Sequence, residues 1–78
     1  MNNLDLKNYK LTERENEVLK HILKGRTNKQ ISQILYINIE TVKAHVSSIL
    51  YKLGVDDRIG ILVKLFNKNI ENFINNMQ

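Results

Sequence analysis

Lys43 and Ser47 stand four residues apart in the stretch ETVKAHVSSI, with Ala44 three before Ser47, so on a helix the three share one side. Their chemistry is recognition rather than bond making. A lysine ammonium donates to guanine O6 and N7 or to a phosphate, a serine hydroxyl donates or accepts, and an alanine methyl permits close approach and can touch a thymine methyl. Glu40 and Tyr51 fall on the same side, with Thr41, Ser48 and Lys52 on its flank. A solvated surface helix can look the same, so the wheel alone leaves groove binding and simple solvation both open. Thr27, Asn28 and Lys29, a little earlier, combine hydroxyl, amide and ammonium groups with the N–H groups of a helix start. Such a set can clamp a phosphate.

Other chemistries lack their residues. The chain has no cysteine, and His21 and His45 are far apart and without HExxH spacing. No nucleophile–base pair, phosphate-binding glycine loop or metal set is legible, so no catalysis, cofactor, metal or small-molecule substrate is expected. Glu15 reads as a helix cap and local ion-pair partner.

The elements that must hold these residues follow from period and caps. Thr12 with Glu15 has capping-box spacing, Val18, Leu19, Ile22 and Leu23 make one apolar stripe, and Gly25 is a stop. The first helix is predicted at about 13–24. Thr27 with Gln30 repeats the box, so a second helix of about two turns starts at or near Lys29, with Ile31, Ile34 and Leu35 apolar. Asn38 is an N-cap, and Ile37 and Val42 are placed as a hydrophobic staple. The third helix spans about 39–53, buries Val42, Val46, Ile49, Leu50 and Leu53, and ends at Gly54. Asp56 or Asp57 caps a fourth, in which Gly60 is explained equally by a close approach or by tolerance. Tyr36-Ile37-Asn38, without proline, is the whole connection between the second and third helices.

At 78 residues this is one domain with a modest core, for which oligomerisation is a plausible supplement. The formal net charge of +4 suits a polyanionic partner. No apolar run approaches the roughly 20 residues that span a bilayer, and the polar start MNNLDLKNYK is not a signal peptide, so a cytoplasmic location away from membranes is expected.

The blocks LTERENEVL, NKQISQIL, ETVKAHVSSI and KLGVDDR, in that order and spacing over residues 11–66, resemble the LuxR/GerE-type helix-turn-helix domain of bacterial transcription factors. Ser32, Asn38, Ser48 and Ile61 depart from the residues most usual there. The resemblance implies an all-α, four-helix, LuxR-type fold whose second and third helices form the helix-turn-helix and whose fourth mediates dimerisation. It implies a sequence-specific double-stranded DNA-binding regulator. Lys43, Ala44 and Ser47 then fall where bases are read. Thr27, Asn28, Lys29, Thr41, His45, Ser48 and Lys52 fall where the DNA backbone is touched or the recognition helix is braced. The rival reading is a helical module that binds another regulator without binding DNA.

The expected organisation is an arm over 1–10, the DNA-binding domain over 11–66 and a tail over 67–78. If the tail continues the fourth helix, Ile59, Leu62, Val63, Phe66, Ile70, Phe73 and Met77 form one apolar stripe for a homodimer, while Ile61 and Leu65 serve the domain's own core. The competing reading is a frayed, asparagine-rich tail. Met1 with a short arm favours a free-standing regulator over an effector domain of a larger one.

Overall fold

The computed structural model describes residues 9–76, and for 67–75 the backbone alone. Four helices follow in order: α1 (Glu13–Leu23), α2 (Asn28–Leu35), α3 (Ile39–Leu53) and α4 (Arg58–Asn76). No strand occurs among the described residues.

Each start is capped locally. Thr12 Oγ1 accepts from Glu15 N at 3.1 Å while Thr12 N donates to Glu15 Oε1 at 2.9 Å. Thr27 and Gln30 make the same reciprocal pair at 3.1 and 2.9 Å, so α2 begins at Asn28. Asn38 Oδ1 accepts from Glu40 N at 2.7 Å, starting α3. Asp57 Oδ1 accepts from Gly60 N at 2.8 Å, so Asp57 rather than Asp56 caps α4. These bonds satisfy N–H groups that a helix start leaves without intrahelical partners.

The ends are equally local, with one exception. Gly25 and Gly54 adopt left-handed backbone, φ 82° and 72°, after α1 and α3. Arg26 N then donates to His21 O and Gly25 N to Ile22 O, a Schellman turn that closes α1 at Leu23. The exception is Tyr36, which ends α2 at φ 56° where a glycine would ordinarily stand. A side chain there costs about 1–2 kcal/mol. Tyr36 N and Ile37 N still donate to Ser32 O, so the geometry of the turn is that of a glycine cap.

The core consists of Val18, Leu19 and Ile22 of α1, Ile31 of α2, Val42, Val46, Ile49 and Leu53 of α3, and Ile61 of α4. Each such side chain contributes about 1.5–3 kcal/mol when fully buried. The central helix is α3, which packs on α1, α2 and α4. Leu50, expected in the core, is half-buried at its edge.

Residues 58–76 form one unbroken helix, so the backbone continues helically past Phe66. Ile61 is buried and Leu65 packs on the core, while Ile59 and Val63 remain 69% and 51% exposed. A Cβ on Gly60 would sit 3.0 Å from Val55 Cβ and 3.3 Å from Asp57 Oδ1, so the close approach is to the turn before α4 and not to another helix. Tyr9, placed in the arm by sequence, packs against the core, with Lys64 Nζ 5.8 Å from its ring centre. Residues 1–8 of that arm lie outside the described residues.

Candidate nucleic-acid interface

Two short-range facts set the α2–α3 geometry. The connection between the helices is the left-handed Tyr36, Ile37 and the cap Asn38. Ile31 is buried, and Leu35 and Ile37 pack on the same core, so α2 is pinned where α3 starts. With Val42, Val46, Ile49 and Leu53 turned into the core, the opposite side of α3 must face outward. Thr41, Lys43, Ala44 and Ser47 are exposed there, and His45 is half-buried. Tyr51 is 87% exposed on the same helix. Lys43 Nζ lies 3.4 Å from Glu40 Oε2, an exposed pair one turn apart.

Thr27 and Lys29 are exposed at the start of α2, and Asn28 is half-buried. Thr27 Oγ1 is engaged in the capping box, and Asn28 Oδ1 accepts from Arg58 Nη1 at 2.6 Å. Arg58 Nη2 also donates to Arg26 O at 2.6 Å. The first residue of α4 therefore holds the turn that launches α2. Its burial lowers the guanidinium pKa without discharging it near neutral pH. Sequence reasoning missed Arg58, because its partners lie about thirty positions earlier.

Ser48 and Lys52 are turned inward. Ser48 Oγ donates to Glu15 Oε2 at 2.6 Å, and Lys52 Nζ donates to Glu15 Oε1 at 2.7 Å and to Lys10 O at 3.3 Å. Glu15 is only 5% exposed. Burial by itself would raise its pKa. The bonds from Lys52, Ser48 and the Thr12 backbone outweigh that and hold it down at about 2, against an ordinary 4.5. In the folded chain both side chains thus brace α3 against α1. Glu15 has a role the sequence reading did not assign, since it is a cap whose carboxylate also reaches across to the third helix.

His21 is shifted by a different set of neighbours. Burial, then the nearby charges of Arg26 and Lys24, lower its pKa. Arg26 Nη1 lies 3.0 Å from His21 Nδ1. A guanidinium can only donate, so Nδ1 accepts and the ring proton sits on Nε2.

Among the described residues no cluster of histidine and carboxylate side chains could hold a metal ion, and no helix is long and apolar enough to cross a membrane.

The sequence model of the bacterial regulatory proteins of the luxR family matches residues 9–65. The response regulator protein VraR of Staphylococcus aureus is 48% identical over 60 residues, which cover 77% of this chain and 29% of the relative. The VraR proteins of Staphylococcus saprophyticus and Staphylococcus epidermidis are similar to the same extent. The chain spans less than a third of the length of these curated relatives. No solved structure matches it. A helix-turn-helix with an open third-helix face, in a chain matched from Tyr9 to Leu65, places the protein in the luxR family of bacterial regulatory proteins.

Proposed function

We propose that the chain is a cytoplasmic, sequence-specific double-stranded DNA-binding regulator of transcription that inserts α3 into the major groove as a homodimer. The observation that carries this is the exposed face of α3, where Lys43, Ala44 and Ser47 stand clear of the core on a helix held rigidly by α1 and α2. Such a helix fits the width of the groove and can reach base edges. Lys43, Ala44 and Ser47 read bases. Lys29, Thr41, His45 and the N–H groups at the start of α2 hold phosphates, with Thr27 and Asn28 shaping that start. Ser48 and Lys52 act mainly as braces through Glu15. No reaction is catalysed.

Two substitutions separate base reading from phosphate holding. Lys43→Ala is expected to lower affinity for a selected site by about 1–3 kcal/mol more than affinity for mixed-sequence DNA. Lys29→Ala is expected to weaken both about equally. Titration of each variant against both DNAs checks this. Equal losses everywhere for both variants would remove Lys43 from base readout. Absence of DNA binding together with tight capture of another regulator would favour the protein-interaction reading.

The dimer is supported by the outward side of α4. Ile59, Leu62 and Val63 are exposed on a helix whose other side, through Ile61, is already in the core. Phe66 is half-buried, the side chains of Ile70 and Phe73 lie outside the described residues, and so does Met77. A two-fold pairing through this stripe would set two recognition helices about one DNA turn apart. Sedimentation is expected to show tighter self-association for the full chain than for one ending at Asn67. Equal association would confine the interface to Ile59–Phe66, and a monomeric full chain at high concentration would sink the dimer.

A further inference from the structure

We propose that Glu40 is a base-reading residue whose carboxylate accepts from the amino group of a cytosine, so that Glu40 and Lys43 together select a C·G base pair. The inference rests on the DNA-binding reading above. Glu40 is the second residue of α3, and its N–H is fixed by the cap Asn38. It precedes Lys43 by three residues, Ala44 by four and Ser47 by seven, which puts it on their side of the helix. Side chains at the start of a recognition helix are those that reach base edges. Its side chain is 74% exposed, and it is the one acidic residue of α3.

A carboxylate in that position suits the positive end of α3 and opposes binding to phosphates, so on the DNA-facing side what it adds is discrimination between bases. It can only accept hydrogen bonds. The donors displayed in the major groove are the amino groups of cytosine and adenine. Adenine sets its amino group beside the N7 acceptor, which repels a carboxylate, whereas cytosine carries no such neighbour on its own major-groove edge. Lys43 Nζ, 3.4 Å from the same carboxylate, can only donate, and guanine O6 and N7 lie across the same base pair. The two side chains therefore present acceptor and donor side by side, the complement of the donor and acceptors of a C·G pair. An exposed ion pair of this kind is weak, so opening it to admit the base costs little.

Selection of bound sites from random DNA with the full chain, Glu40→Ala and Glu40→Gln, followed by titration of the selected sites, tests this. Circular dichroism confirms that the variants remain folded. The wild-type chain is expected to enrich a site containing a C·G pair that it prefers over substitutes by about 5- to 150-fold. Glu40→Ala should lose that preference while binding mixed-sequence DNA more tightly. Glu40→Gln should shift the same position toward adenine, whose N6 and N7 match a carboxamide. A wild-type motif that both variants retain unchanged would overturn the role of Glu40 and leave the DNA-binding reading standing. Failure of the wild-type chain to enrich any site would overturn both.

Discussion

Glu15→Ala is expected to destabilise the folded chain by about 3 kcal/mol at neutral pH, a large share of the 5 kcal/mol or so typical of marginal domains. The substitution removes the acceptor for three donors at once: Ser48 Oγ, Lys52 Nζ and the Thr12 N–H. It leaves the ammonium of Lys52, whose side chain is 29% exposed, without its partner in a partly dry site. The pH dependence supplies an independent check. The carboxyl falls from an ordinary 4.5 to about 2 on folding, so its contribution is fully present above pH 4.5 and is lost as the pH drops toward 2. That fall corresponds to about 3 kcal/mol. Urea unfolding of the wild type and the variant between pH 7 and pH 2 should show two stabilities that converge as acid is added. Parallel curves, or a gap under about 1 kcal/mol at pH 7, would mean that the cluster does not hold α1 to α3. Glu15→Gln, which keeps an acceptor but not the charge, should fall between the two.

DNA affinity is expected to drop by about 250- to 1000-fold per protomer between roughly 50 and 200 mM salt, a slope of about −4 to −5 for some five neutralised phosphates. The structure favours the shallow end of that range. The Lys52 ammonium is already matched by buried Glu15, and Lys43 shares its charge with Glu40. On the proposed reading, Lys29 together with other exposed lysines of the chain would supply the remaining phosphate charge. A titration across salt concentrations on mixed-sequence DNA measures the slope directly. A response shallower than about −2 would count against docking on the phosphate backbone.

Most of the architecture was legible because its determinants are local. Thr12 and Glu15, Thr27 and Gln30, and Asn38 each fix a helix start with partners within three residues. Gly25 and Gly54 mark two ends because a left-handed turn tolerates them without a steric cost. The apolar period of α3 then dictates which side is buried, and so which side carries Lys43, Ala44 and Ser47.

What the sequence could not decide is which polar groups the packed helices would use up. Ser48 and Lys52 look like free surface donors on a wheel, yet Glu15, 33 and 37 positions earlier, accepts from both. Arg58 binds Asn28 from 30 positions away. Tyr36 takes a left-handed backbone with no glycine to announce it. Each of these depends on helices docked at a particular distance and angle. That docking is set by the summed burial of Leu19, Ile31, Ile49 and their neighbours, so the sequence by itself determined the helices and their outward faces. The tertiary structure decided which residues on those faces remain available to a partner, because a hydrogen bond between distant positions exists only once the core has brought them together.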